Sequence, residues 1–172
     1  MKVVRYLKIA LISIFFSQNL SAFEQNPESS DIGEGGREDL SFLNVETSDY
    51  KKGMIAFNQA NKKFEKNKIK KAQKRYNDAI KFFLNARIAL PENVDILNNL
   101  GVSFFRIGDL LMAEIYYQEG LELDSKNYSI NSNIGKLYVK TNRISLAVEK
   151  LEFLKNCNCE EYNELKNIIS KN

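Results

Sequence analysis

The chain of 172 residues has no histidine, no tryptophan, only two cysteines and only two prolines. Without imidazole, the usual Ser-His-Asp and Cys-His catalytic arrangements cannot be built. Two thiols alone cannot complete a zinc site, so no metal is expected. So few prolines, with only eight glycines, argue against a turn-rich β-sandwich and suit long helices. No phosphate-cradling Gly-x-x-x-x-Gly-Lys, His-Glu-x-x-His or dinucleotide fingerprint occurs. Ser48-Asp49-Tyr50-Lys51 fits a Ser-x-x-Lys motif, but its Ser-Asp-Asn and Lys-Thr-Gly partners are missing. With 44% apolar residues the chain can bury the core of one ordinary domain. The expectation is an all-α protein without catalytic residues or cofactor.

The N-terminus reads as a targeting segment. Lys2, Arg5 and Lys8 precede the apolar run from Ile9 to Phe16, and small residues follow at Ser21 and Ala22. This is the pattern of a secretory signal peptide over residues 1–22. The run breaks at Ser17-Gln18-Asn19, short of the ~20 apolar residues a spanning helix needs. A periplasmic location follows; the alternative is an uncleaved N-terminal anchor facing the same compartment. No cysteine lies near the cleavage point, so a lipidated terminus is not indicated.

Charge is unevenly placed in what remains. Residues 23–49 hold eight acids and one base, whereas residues 51–75 hold ten bases and one acid. Residues 23–48 contain Asn26-Pro27-Glu28-Ser29-Ser30 and Gly33-Glu34-Gly35-Gly36 with few large apolar side chains, and are expected to form a flexible acidic leader. Leu40, Phe42, Leu43 and Val45 are the exception, suited to docking on the domain of residues 49–172.

Within that domain a period of 34 residues is visible. Ala79, Ala113 and Ala147 share it, as do Phe83, Tyr117 and Leu151, Gly101 and Gly135, and Phe104 and Tyr138. Leu97, Leu100, Gly101, Phe104 and Phe105 mark one helical stripe, and Ala113, Tyr116, Tyr117 and Gly120 a second, with Gly108-Asp109 able to turn the chain between them. Small residues that let backbones approach alternate with large rings that fill the gaps.

These residues resemble the tetratricopeptide repeat, with Leu97, Leu100-Gly101, Phe104, Ala113, Tyr117 and Gly120 in its pattern and Ser125 in the slot of its closing proline. The resemblance implies a right-handed α-α superhelix of about three helix pairs, residues 94–127 and 128–155 being regular repeats. In the first, over about 49–93, the register places Lys63, Lys66 and Lys70 where apolar residues belong. Tyr50, Gly53-Met54 and Phe57 supply an earlier first helix, so about thirteen extra residues lengthen the helices rather than form a loop, giving a long helix from about Lys68 to Leu90. Tyr162, Leu165, Ile168 and Ile169 predict a capping helix over about 160–170. The tail also looks similar to that of short exported bacterial, alphaproteobacterial-like tetratricopeptide proteins, in two cysteines before Glu-Glu-Tyr and Leu-Lys, although their cysteines are more widely spaced.

The family's members are protein-interaction scaffolds, which implies a concave groove built from the first helices. By resemblance its positions fall on Asp95, Asn98, Asn99, Val102, Phe105 and Arg106, then on Ser129, Ser132, Asn133, Lys136, Val139 and Lys140. Asparagines can pair with an extended peptide, and Arg106, Lys136 and Lys140 favour a carboxylate. The expected partner is a protein or peptide, not nucleic acid. Two alternatives stay open. The basic run 51–75 can make weak contact with an anionic membrane surface in an envelope-associated structural role. Cys157 and Cys159 can form a loop-stiffening disulfide, remain free, or serve a thiol-dependent factor.

Overall fold

The computed structural model describes residues 41–171, with side chains from Ser48 onward. The signal-peptide reading of residues 1–22 and most of the acidic leader lie outside these residues, as do Leu40 and the side chains of Phe42, Leu43 and Val45. Seven helices make up the described residues, with no strand among them: α1 (Ser41–Glu65), α2 (Ile69–Ala89), α3 (Val94–Ile107), α4 (Leu110–Leu123), α5 (Tyr128–Lys140), α6 (Ile144–Leu154) and α7 (Glu160–Ser170). None is long and apolar enough to cross a membrane.

The helices pair in chain order, α1 with α2, α3 with α4 and α5 with α6, and each pair packs on the next in a superhelical stack. The displaced first repeat is present as two long helices of 25 and 21 residues, and α2 falls within a residue of its expected limits. At its other end, α1 begins at Ser41, inside the stretch read as leader through residue 48. The expected leader rests on the turn-forming runs before Gly36 and on the scarcity of large apolar side chains, whereas no glycine or proline interrupts the backbone between Gly36 and Gly53.

Each pair turns on one residue in the left-handed region: Asn67 at φ 52°, Gly108 at φ 94° and Asn142 at φ 58°. Glycine adopts this conformation at no steric cost, and asparagine more readily than other side chains. Asn93 and Asn127, 34 residues apart, cap α3 and α5: their side-chain oxygens accept from the backbone N–H of Ile96 at 3.0 Å and of Ile130 at 3.1 Å. Asp109 caps α4 in the same way, accepting from Met112 N–H at 3.1 Å. These bonds satisfy donors that a helix N-terminus leaves without internal partners.

What holds each of the first two pairs is a ring from the second helix lying against a glycine of the first. A Cβ built on Gly53 would fall 2.6 Å from the Phe83 ring, and one on Gly101 would overlap the Tyr117 ring. Phe83 and Tyr117 are fully buried, as are Ala79, Ala113 and Ala147 beside them. A side chain lying against a glycine also joins the second pair to the third, where a Cβ on Gly120 would lie 2.7 Å from Ile130. In the third pair the ring position is Leu151, which is only half-buried, and the space above Gly135 is taken by Leu165 of α7, 2.6 Å from a built Cβ. Phe104 stacks on Tyr116 with centroids 5.4 Å apart, and Arg143 bonds both oxygens of Glu114 at 2.7 Å, tying α4 to the start of α6.

Asn131 occupies a core position where the preceding repeat has Leu97. It is nonetheless satisfied: its amide donates to the carbonyls of Ser125 at 3.1 Å and Asn127 at 2.9 Å, and its oxygen accepts from Lys150 Nζ at 3.0 Å. A buried amide with all these partners fastens the α4–α5 turn instead of weakening the core.

If the glycine–ring approach sets helix spacing, Gly101→Ala should destabilise the fold by about 1 to 3 kcal/mol through overpacking. The measurement is urea denaturation, in which the midpoint should fall at constant slope. An unchanged midpoint would contradict the close approach.

Candidate functional site

The first helices α1, α3 and α5 lie side by side along one face of the stack. Their rows of ring and small residues turn inward to the second helices, so the polar row between them faces the groove. Helix α7 packs against both α5 and α6, standing where a further first helix would stand, and closes the far wall.

Two adjoining clefts result. The larger, of about 570 Å³, has Val102, Phe105, Val139 and Ile168 as its apolar floor and Arg106, Lys136 and Lys140 on its rim. The smaller, of about 330 Å³, is polar, with Asn98, Asn99 and Ser129 on one side and Glu160 and Glu161 on the other. Asn133, Lys136, Val102 and Glu164 border both. The ion pair of Lys136 Nζ with Glu164, at 2.6 Å, stands on that common border.

All seven groove residues expected from the sequence border one or both clefts: Phe105, Arg106 and Lys140 the first, Asn98 and Asn99 the second, Asn133 and Lys136 both. Their bonding departs from expectation. Asn133 donates to the Asn98 oxygen at 2.9 Å, and the Asn99 amide points at Met54 sulfur at 3.4 Å, so part of their capacity for a peptide is already used. Lys136 is engaged by Glu164 rather than held in reserve for a ligand carboxylate. Arg106 lies 4.5 Å from the Phe64 ring centroid and Lys140 5.3 Å from that of Phe105, and neither pairs with a carboxylate among the described residues.

One expected groove position is corrected: Ser132 is fully buried, whereas Val139, though mostly buried, still lines the floor of the larger cleft. Ser132 lies beneath α7, its hydroxyl donating to the Glu161 carbonyl at 3.3 Å, while Ser129 donates to the Glu161 carboxylate at 2.9 Å. The capping helix was expected to seal the end of the core; it also supplies a wall carrying Glu160, Glu161 and Glu164. The sequence signal was the acidic first turn of α7, which suits the positive end of a helix dipole and so reads equally well as a helix start.

Burial of Tyr117 under the larger cleft pushes its hydroxyl well above the usual range, with Arg106 opposing in part, so the phenol stays neutral in neutral solution. Burial likewise lowers Lys150, against a smaller opposing pull from Glu149. No group of three or more metal-ligating side chains occurs among the described residues. Cys157 and Cys159 form a disulfide, Cα atoms 5.1 Å apart, in the α6–α7 turn, where Asn158 between them takes φ 50°. Cys159 is the N-cap residue of α7, so the bridge sits at the base of the groove's outer wall rather than inside it.

Residues 94–127 match the tetratricopeptide repeat family model. The stack is a tetratricopeptide-repeat fold. The second such domain of human RPAP3, solved with the HSP70 peptide SGPTIEEVD, is 15% identical at a TM-score of 0.55, covering 74% of this chain and 99% of that one. The first such domain of Spaghetti (RPAP3), bound to the HSP90 peptide SRMEEVD, is 22% identical at 0.52, covering 71% and 94%. The Yersinia enterocolitica type III secretion translocator chaperone SycD is 19% identical at 0.51, covering 70% and 88%. No curated protein matches the chain in sequence.

Leu165 joins the outer wall to the tetratricopeptide stack. Leu165→Ala should weaken the docking of this wall by about 2 to 5 kcal/mol. Hydrogen exchange over Glu160–Ser170 should then accelerate more than exchange over α3 and α4. Equal protection of α7 in the variant and parent would show that Leu165 does not hold it.

Proposed function

We propose that this chain is a non-catalytic adaptor that takes up an extended peptide, or a peptide-like segment of a partner protein, in the groove between α3, α5 and α7. The observation that carries this reading is the larger cleft: an apolar floor bordered by two cations, Arg106 and Lys140, that no described carboxylate neutralises. Such a site offers an apolar ligand side chain burial and a neighbouring carboxylate charge-assisted hydrogen bonds. The Asn98–Asn133 pair retains an amide N–H₂ on one residue and a carbonyl on the other, which suits the alternating polarity of a backbone. Two proteins of this fold, at low identity, hold peptides ending in Glu-Glu-Val-Asp. By analogy an acidic peptide with an apolar residue is the ligand class to try first. Glu160, Glu161 and Glu164 make the other side of the groove unfavourable to a uniformly acidic segment, so the ligand's carboxylates belong at the Arg106 and Lys140 end. The n-region, apolar run and small residues of 1–22 support export to the periplasm.

The test is an array of short peptides combining one apolar residue with one or more acidic residues, probed with the full chain. Arg106→Ala with Lys140→Ala should weaken the peptides that bind about tenfold or more, since hydrogen bonds to charged groups contribute about 1.5 to 3 kcal/mol each, while circular dichroism stays unchanged. Undiminished binding in the double variant would remove the groove from the account.

A further inference from the structure

The two regular pairs turn seven residues after their close-approach glycine, from Gly101 to Gly108 and from Gly135 to Asn142. The first pair turns fourteen residues after Gly53, at Asn67. At 1.5 Å per helical residue, the additional seven carry its tip about 10 Å past the level of the other turns. The overhang has its own small core: Ala60, Ala72 and Tyr76 are fully buried, Phe57 and Ile107 pack on them, and the Tyr76 hydroxyl donates to the Asn61 oxygen at 2.6 Å. It is therefore a braced projection rather than a frayed end.

Past that core the surface is one-sided in charge. Lys62, Lys66, Lys68, Lys70, Lys71 and Lys74 are exposed and none pairs with a carboxylate among the described residues. From Lys62 to Lys74 the one acid is Glu65. A merely solvated helix surface usually interleaves both signs. Phe64 and Ile69 flank the turn with 36% and 39% of their surfaces exposed, so the most distant part of the hairpin combines apolar side chains with a basic surround.

We propose that the tip of the α1–α2 hairpin docks on a bilayer bearing anionic glycerophospholipid headgroups. Lysines held within a Debye length of such a surface gain its potential, and apolar side chains among them enter the interface. A dissolved polyanion would satisfy the charge but leave Phe64 and Ile69 in water, which is why a bilayer is favoured.

The sequence has no tryptophan, so Ile69→Trp in the full chain supplies a single fluorescent reporter at the tip. Ile88→Trp, at a position 84% exposed near the other end of α2, is the control. With phosphatidylcholine vesicles containing one-third phosphatidylglycerol, emission of the first variant should shift to the blue and that of the control should not. Pure phosphatidylcholine should shift neither, and high salt should reverse the effect. Lys66→Glu, Lys70→Glu and Lys71→Glu together should lower vesicle partitioning at least about tenfold, with helicity unchanged by circular dichroism. Residues 1–40 are common to all variants, so differences between variants report on the hairpin. An unmoved reporter at the tip, a charge-reversed chain that partitions like its parent, or an equal shift with soluble polyphosphate would each overturn the proposal.

Discussion

The structure depends on how closely the two helices of each pair approach. Phe83 and Tyr117 each lie where the first helix has only hydrogen at Cα, which places one ring directly against the partner backbone. Dense packing makes such contacts unforgiving: an added methyl has nowhere to go, and a removed ring leaves a void the neighbours only partly fill. The short spacing within pairs, repeated through Gly120 and Ile130 between pairs, stacks the second helices behind and the first helices in front. The groove is the consequence of that order, since residues between the buried stripes of α3 and α5 have no direction left except the open face.

The third pair shows what happens when the interlock weakens. Leu151 replaces the ring, and Leu165 from outside the pair covers Gly135 instead. That single displacement gives α7 its place, buries Ser132 beneath it, and brings an acidic helix to a groove whose other wall carries cations. The capping helix is thus at once the end of the core and one side of the site, and the Lys136–Glu164 pair on their border is both a fastening and a limit on which charges a ligand can bring.

Much of this was legible in residue spacing. The period of 34 gave the helix pairs, because a stack repeats the same neighbours at the same interval; the groove positions came with the resemblance to the tetratricopeptide repeat, and the capping helix with the apolar spacing of Tyr162, Leu165, Ile168 and Ile169. The period also located the lengthened first pair, whose lysines could not occupy core positions. Spacing was blind to contacts made outside the period. Nothing in it tells that Asn98 and Asn133 bond each other, that Lys136 meets a carboxylate 28 residues later, or that Asn131 is buried and satisfied. Other features were periodic and went unread: Asn93 and Asn127 as caps, and Asn142 as the counterpart of Gly108, since asparagine reads as ordinary surface polarity until the backbone angle is known. The start of α1 at Ser41 lies inside the expected leader, because few large apolar side chains suggested an irregular segment where the backbone had no helix breaker.

The ring–glycine interlock can be observed directly. In a NOESY spectrum of the isotope-labelled chain, the aromatic protons of Tyr117 should show strong cross-peaks to the Hα protons of Gly101, and those of Phe83 to the Hα protons of Gly53, with both glycines shifted upfield by the ring currents. Absent cross-peaks, with glycine shifts near those of an unstructured chain, would contradict the close approach on which the stack and its groove depend.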